Sequence, residues 1–275
     1  MMIRVPDMLN VNNAESYNVS IRLWPDGLYF SGYILSERDS FFSETVAFDK
    51  RVPLVESLKE IFFNNECLSY IYRSLYVISV SREYTLVPDS VFIEKNKDLL
   101  FSFCFQTDGS SRVLFQPLRQ FGSFLLYSMD NEIYEFMIRS LVNPQFIHFL
   151  SPMLSVWRKH SVACYPKRMY VVIHDAMLDI VCFEQGEMIF VNSFSYENES
   201  DIVYFIMYVC KQLSLNQLED YVSFCGDKMM CRKIISVVKN YVAHVEIVSP
   251  DIKQYQVELD RNVPVDVITL VECGL

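Results

Sequence analysis

The chain has 275 residues, of which 51% are hydrophobic and 15% aromatic, and this composition excludes an intrinsically disordered protein. Its formal net charge is -10 at pH 7, whereas a protein that binds nucleic acid needs a basic face, so nucleic acid is excluded as the partner. Basic residues cluster only in the middle of the sequence, and we interpret them as a solvated linker and helix end instead of an anion site. They are Arg158, Lys159, His160, Lys167 and Arg168.

No segment resembles a secretory signal or a membrane span. Residues 1–13 hold no continuous apolar stretch, and the apolar run 202–210 ends at Lys211, short of the roughly 18 residues that cross a bilayer. The eight cysteines form no Cys-x-x-Cys pair and lie mostly in apolar segments, which is typical of thiols in a reducing compartment. The sequence therefore predicts a cytoplasmic protein without a transmembrane segment.

The first half of the chain begins with a strand meander. Apolar residues recur at every second position, and Pro25-Asp26-Gly27 is a hairpin turn signal. The predicted elements are strands at 17–24, 28–36 and 44–48, a helix at 53–63 and a strand at 71–80. After them, 99–105 is strand-like and 131–160 is interpreted as a helical region.

The second half repeats this order at an offset of about 150 residues, which is far longer than a solenoid repeat. The predicted elements are strands at 169–174, 177–184 and 188–194, a helix at 199–213, a strand at 221–225, a helix at 228–241 and a strand at 242–248. The run 202–210 is apolar on every face, so that helix is expected to be buried all round. The repeat predicts two lobes, a divergent first lobe at 1–160 and a second lobe at 161–275.

Common catalytic and ligand-binding motifs are missing from the sequence. With only seven glycines there is no dinucleotide fingerprint, P-loop or Gly-x-Ser-x-Gly elbow. Cys225, Cys231 and His244 have spacings that fit no common zinc site, so buried free cysteines are the favoured interpretation. His174-Asp175 is a titratable pair at a strand end, where a structural or exposed histidine is more common than a catalytic one.

The repeated order of strand meander, helix, strand, helix and strand resembles the actin-like ATPase superfamily. More narrowly, the chain is similar to an uncharacterised bacterial family of that superfamily, related in shape to the cell-division protein FtsA and the pilus-assembly protein PilM. The resemblance covers nearly the whole chain. It implies an α/β, two-lobed actin-like ATPase (ribonuclease H-like) fold built from duplicated βββαβαβ lobes.

The resemblance also allows three short motifs to be compared. Active members carry Asp-x-Gly in the first hairpin of each lobe, whereas this chain has Ser20–Trp24, with Arg22, in the first lobe and His174-Asp175-Ala176 in the second. An arginine or histidine cannot replace the hard oxygen ligand that magnesium needs. The paired glycines of the third motif are reduced to one. The remnant cofactor-binding candidates that the resemblance implies are His174, Asp175, Asp179, Gly226 and Asp227.

These changes indicate a retained fold with a lost hydrolase site, a pseudoenzyme. The leading hypothesis is a non-enzymatic cytoplasmic scaffold for protein interaction whose inter-lobe cleft binds a partner or peptide, with no cofactor expected, although ATP and magnesium stay possible. The first alternative is a nucleotide-binding switch with weak ATPase or kinase activity. The second is an unrelated enzyme that uses His174 and Asp175. The sequence leaves the partner's identity and the oligomeric state open.

Overall fold

The computed structural model of the chain describes residues 3–6, 9–35, 37, 39–106, 109–162, 166–248 and 263–273. These residues contain seven α-helices and thirteen β-strands, arranged in two five-stranded sheets and one three-stranded sheet. They separate into two compact units. The first contains the described residues up to 151, and the second contains 152–248 together with 263–273.

The first unit holds eight strands, three helices and the first two residues of a fourth helix, whose remainder belongs to the second unit. The strands are β1 (Asn18–Trp24), β2 (Gly27–Tyr33), β3 (Phe42–Ala47), β4 (Ser74–Ser79), β5 (Tyr84–Pro88), β6 (Ser111–Leu118), β7 (Ser123–Asp130) and β8 (Gln145–His148). The helices are α1 (Leu54–Asn64), α2 (Lys97–Ser102), α3 (Asn131–Ser140) and α4 (Leu150–Ser161). The strands and the helix predicted between 17 and 80 are all present and are confirmed.

The main sheet of the first unit has the order β3-β2-β1-β4-β8. The meander strands pair antiparallel, while β4 pairs parallel with β1 and β8 pairs parallel with β4. A parallel pair needs a crossover connection, and α1 provides it between β3 and β4. Buried apolar residues of β1, β2 and α1, among them Ile21, Phe30 and Leu58, form the core of this sheet.

A subdomain of β5, β6, β7 and α2 is inserted between β4 and α3. Its three strands pair antiparallel in the order β5-β7-β6. The strand-like interpretation of 99–105 is wrong, because 97–102 forms α2. The Phe101 and Phe105 rings pack against each other in a tilted arrangement with centroids 4.9 Å apart, and Phe101 packs on the sheet against Val113 and Leu126. Residues four apart share one helix face, so the apolar run is buried by a helical and not by an alternating pattern.

The interpretation of 131–160 as one helical region is also wrong. Asp130 accepts a hydrogen bond from the Ile133 backbone N–H (3.0 Å) and so caps α3. After α3 ends, Asn143 adopts a positive φ of 49°, and Pro144 lacks the N–H that a continuing helix requires. The chain then forms β8 before α4 begins. The first half therefore completes the same strand order as the second half.

The second unit repeats the main sheet of the first. Its elements are β9 (Arg168–His174), β10 (Met177–Glu184), β11 (Glu187–Ser195), α5 (Glu199–Gln212), β12 (Tyr221–Gly226), α6 (Lys228–Val238), β13 (His244–Ile247) and α7 (Val265–Glu272). The strand order is β11-β10-β9-β12-β13, with β12 parallel to β9 and β13 parallel to β12. The five predicted strands and both predicted helices of this half are confirmed, and so is the duplication.

The helix α5 begins at a complete capping box, in which Asn198 and Asp201 exchange side-chain to backbone hydrogen bonds. Its buried face carries Ile202, Ile206 and Val209. The expectation that this helix is buried all round is wrong, because the side chains of Tyr204 and Tyr208 are 62% and 45% exposed. The tyrosine rings supply apolar carbon, which made the run seem uniformly buried, but their hydroxyls are compatible with water.

The two faces of the second sheet are covered by different helices. Val171 and Ile173 belong to the core beneath α5 and α6. Tyr170 points to the opposite face, because side chains alternate along a strand, and there its ring stacks on Trp157 of α4 with centroids 4.6 Å apart. Every residue of α7 except the last, Glu272, is buried. No helix of the described residues is long and apolar enough to span a membrane.

Candidate functional site

The β9–β10 hairpin positions the first three candidate residues. β9 ends at His174 and β10 begins at Met177, which pairs directly with His174. The two turn residues, Asp175 and Ala176, have φ values of +45° and +56°. Two consecutive positive φ values are typical of the type I′ turn that joins tightly paired strands. The tight turn brings Asp179, five residues after His174, back beside the end of β9.

His174 lies between two carboxylates. Its Nδ1 atom is 2.8 Å from Oδ2 of Asp175, and its Nε2 atom is 2.6 Å from Oδ2 of Asp179. Burial lowers the pKa of His174, but the hydrogen bonds to Asp175 and Asp179 outweigh burial and raise the pKa to about 9. The ring therefore carries a positive charge at neutral pH and donates from both nitrogens.

Asp179 is fully buried, and both of its oxygens have protein partners. Oδ2 accepts from His174, and Oδ1 accepts from the hydroxyl of Ser193, which lies opposite Asp179 on β11. A buried carboxylate is costly unless it is paired and hydrogen-bonded, and this one is both. Ser193 was missed from the sequence, where only its place in the third meander strand was visible.

Gly226 and Asp227 lie beside the same end of β9. Gly226 is paired with Ile173 and has a φ of +102°, and a Cβ atom built on it would lie 2.1 Å from the Ile173 carbonyl oxygen. The backbone N–H of Asp227 donates to that oxygen at 2.7 Å. Oδ1 of Asp227 accepts from the backbone N–H groups of Met229 and Met230, both at 2.9 Å. Asp227 is therefore the N-cap of α6.

The five candidate residues thus meet at one edge of the second sheet, where β9 and β12 end. Tyr196, just after β11, joins them and was also missed from the sequence. Burial raises the pKa of Tyr196, and the charges of Asp227 and Asp175 raise it further. Asp175 and Asp227 therefore lie near a phenol that stays protonated at neutral pH.

The corresponding hairpin of the first unit has a different composition. Trp24 pairs with Gly27 across the turn, as His174 pairs with Met177. Arg22 lies inside β1, not in the turn, and its buried guanidinium is 5.5 Å from the centre of the Trp24 ring. The turn itself holds Asp26, whose exposed carboxylate forms a 3.0 Å ion pair with Lys50.

The residues considered for zinc do not form a ligand set. The Cys231 thiol donates to the Cys225 carbonyl oxygen (3.5 Å), and the Cys225 thiol donates to the Val171 carbonyl oxygen (3.7 Å). The His244 ring stacks on Tyr221, with centroids 4.6 Å apart. Within the described ranges no group of three or more His, Cys, Asp or Glu side chains is arranged to hold a metal ion.

Two residues of the basic cluster make structural contacts. Lys167 Nζ donates to the carbonyl oxygen of Leu213 (3.0 Å), just after α5 ends, where a cation is favourable. Arg168 Nη1 of β9 donates to Glu246 Oε1 of β13 at 2.8 Å, across the intervening strand β12. Arg158, Lys159 and His160 lie in the last turn of α4, as the helix-end interpretation predicts, whereas Arg168 belongs to β9 and is not part of a solvated linker.

Comparison with solved structures agrees with the duplicated lobes. A Bacteroides thetaiotaomicron protein with an actin-like ATPase fold and unknown function has a TM-score of 0.83 and 25% sequence identity, over 97% of this chain and 99% of that one. A chain of the PilM–PilN type IV pilus biogenesis complex has a TM-score of 0.53 and 10% identity, over 94% and 96% of the two chains. These similarities confirm the actin-like ATPase fold and the likeness to PilM.

Sequence comparison assigns the family. No curated protein matches the chain. The family model described as a protein of unknown function (DUF3822) matches residues 6–245, which is most of the chain. The protein therefore belongs to the DUF3822 family.

Proposed function

We propose that this protein is a non-enzymatic, cytoplasmic member of the actin-like superfamily that recognises a protein partner. The observation that supports the proposal is that both carboxylate oxygens of Asp179 form hydrogen bonds within the protein. These two oxygens bond to His174 and Ser193. Because this carboxylate is fully buried and each of its oxygens already accepts from a protein donor, it is not exposed to a metal-bound nucleotide.

ATP with magnesium does not suit this donor set. Magnesium requires oxygen ligands in octahedral geometry and is repelled by a neighbouring cation. The hydrogen bonds that His174 donates to both aspartates outweigh burial and raise its pKa to about 9, so an imidazolium lies beside both carboxylates. Asp227 is committed to the N-terminus of α6. The absence of cofactor chemistry is thus part of the proposal.

Two observations favour a protein partner. The fold is shared, at 10% identity, with a chain of the PilM–PilN complex, so this architecture is compatible with assembly onto another protein. The inserted subdomain also exposes Leu99 (59%) and Phe103 (76%). These residues are four apart at α2 and therefore lie on one helix face, where a partner would bury them.

Thermal unfolding in the presence of nucleotide tests the part of the proposal that concerns the missing ATP site. A ligand present at a hundredfold its dissociation constant stabilises a protein by about 2.7 kcal/mol, which moves the midpoint by several degrees. We expect millimolar ATP with magnesium to shift the midpoint by less than about 2 °C. A larger shift that Asp179→Asn abolishes would instead support the nucleotide-binding switch.

Affinity capture from the native cytoplasm tests the part of the proposal that concerns a protein partner. We expect the wild-type chain to retain a stoichiometric protein partner and Phe103→Ser to lose it. Phe63→Ser is the matched control, because Phe63 is also an exposed phenylalanine, 87% accessible, but lies on α1. Equal loss from both variants, or retention by both, would contradict a partner surface on α2.

A further inference from the structure

The first unit contains a cavity of about 590 Å³ beside the edge strand β6. This volume is within the range of roughly 300 to 1,000 Å³ that small-molecule sites occupy. The cavity is lined by α2, β6, α3, single residues of β7 and β8, and Glu94 just before α2. It belongs entirely to the first unit and does not involve the site at His174.

Tyr127, in the middle of β7, gives this cavity an unusual polar group. The side chain lines the cavity and is fully buried, and its hydroxyl has no hydrogen-bond partner among the described residues. Burial raises the pKa of Tyr127, so the phenol stays protonated and is available as a donor. Buried donors are almost always satisfied, and an unsatisfied one in a cavity indicates that a ligand acceptor belongs there.

The aromatic rings of Tyr134 and Phe146 line the same cavity. Tyr127 pairs with Leu114, so Arg112, two residues earlier on β6, lies on the same face of the sheet. The Arg112 guanidinium stacks 4.3 Å from the centre of the Tyr134 ring, and Tyr134 lies 4.7 Å from Phe146. Flat surfaces of this kind favour a planar ligand, because stacked rings attract each other beyond the burial of their area.

The two cations that line the cavity are paired within the protein. Arg112 Nη2 bonds to Glu135 Oε1 (2.9 Å), and its Nε bonds to Asn131 (3.1 Å). Lys97 Nζ bonds to Asp98 (3.1 Å) and to the Val113 carbonyl oxygen (2.8 Å). An anionic ligand would compete with carboxylates already in place, so the lining favours an uncharged ligand.

We propose that this cavity binds a small, uncharged, planar aromatic molecule whose acceptor atom, an oxygen or a ring nitrogen, takes the hydrogen bond of the Tyr127 hydroxyl. The ring of the ligand lies against Tyr134 and Phe146, and Arg112 closes one side. The site does not include His174 or the exposed residues Leu99 and Phe103, although Lys97 and Asp98 of α2 line it. Its existence does not depend on the proposed function.

Quinoline and naphthalene are suitable probes, because they have the same shape and only quinoline carries an acceptor nitrogen. Titration calorimetry of the full chain is expected to show saturable quinoline binding that is about tenfold tighter than naphthalene binding, the value of one hydrogen bond to a buried donor. 2-Naphthoate is expected to bind more weakly than quinoline. Absence of saturable quinoline binding, or stronger binding of 2-naphthoate, overturns the proposal.

Tyr127→Phe removes only the hydroxyl. Because that hydroxyl has no partner in the protein alone, we expect the melting temperature of the variant to be equal to or above that of the wild type. The preference for quinoline over naphthalene is expected to disappear. Tyr170→Phe, at a buried tyrosine of the second unit, is the control and should keep the preference. A preference that survives in Tyr127→Phe overturns the assignment of the acceptor position.

Discussion

The Nε2 atom of His174 lies 2.6 Å from Oδ2 of Asp179, and this contact fastens the end of β9 to the third residue of β10. A histidine bound by one carboxylate is common, but here Asp175 holds the second ring nitrogen at 2.8 Å. The imidazolium is therefore fixed in orientation as well as in charge. The two contacts of His174 with Asp175 and Asp179 strengthen the hairpin at the place where active members of the superfamily contact phosphate.

This contact makes stability depend on pH in a defined direction. Burial alone would lower the pKa of His174, but its two aspartate partners raise it from 6.5 to about 9, so the folded state holds the proton more tightly than the unfolded chain. The stabilisation is complete below about pH 6.5 and is lost as the pH rises through 9. We expect the loss to be on the order of 1–3 kcal/mol, measured by urea unfolding at both ends of this window.

His174→Gln removes the titrating group and should flatten this part of the pH profile. His244→Gln is the control, because His244 is exposed on β13 and stacks only on Tyr221. A His174→Gln profile with the same slope as the wild type would show that another group controls stability in this range.

Gly226 provides a test of the close contact between β12 and β9. We expect Gly226→Ala to destabilise the protein by more than about 2 kcal/mol, since the new Cβ would lie 2.1 Å from the Ile173 carbonyl oxygen. Gly122→Ala is the matched control. Gly122 also has a positive φ, +55°, but its Cβ would meet nothing within 4 Å, so only about 1 kcal/mol of backbone strain is expected. Equal losses in denaturant unfolding would mean that backbone strain alone limits both sites.

The two faces of α5 should respond differently to truncation. Ile206 is fully buried in the second-unit core, so Ile206→Ala should cost about 2–5 kcal/mol. Tyr204, 62% exposed, lies two residues away, and Tyr204→Ala should cost less than about 1 kcal/mol. Chemical unfolding of the two variants measures both values. A Tyr204→Ala loss as large as that of Ile206→Ala would show that the exposed face is covered in solution.

The boundary of the second unit can be tested with two fragments. We expect the fragment 152–275 to unfold cooperatively, because it keeps Trp157 stacked on Tyr170 at 4.6 Å. The fragment 167–275 lacks this part of α4, and loss of a buried tryptophan costs about 3–5 kcal/mol. Circular dichroism during heating should therefore show a lower midpoint or no transition for the shorter fragment. Equal midpoints would show that α4 adds nothing to the second unit.

Much of the fold could be predicted because its local signals agree with its tertiary structure. The hairpins of both lobes have period-2 patterns and turn residues, and α1, α5 and α6 have helical spacing and clear ends. The sequence patterns gave the wrong structure in the inserted subdomain, where α2 was interpreted as a strand, and at β8, which was included in a helical region. β8 has only four residues, and the apolar residues that continue into α4 conceal the strand within a helix-like run.

The candidate site was predicted less completely, for a geometric reason. His174 and Asp175 were visible as a titratable pair at a strand end, but the partner of Asp179 depends on strand register. The β10–β11 pairing contains an irregularity between Cys182 and Phe183. Counting back from the turn would place Asn192 opposite Asp179, whereas the bulge moves Ser193 there. A single extra residue thus decides which side chain completes the buried cluster.

The stacking of Trp157 on Tyr170 has a practical consequence for spectroscopy. The chain contains two tryptophans, and they fall in different units. Trp157 is fully buried against an aromatic ring, while Trp24 is partly exposed at the end of β1. The two tryptophans therefore fluoresce in different environments. Replacing one of them at a time with phenylalanine allows the emission of the other to be measured alone. Each half of the duplicated chain carries its own intrinsic optical reporter, so the order in which the halves unfold can be observed without any added label.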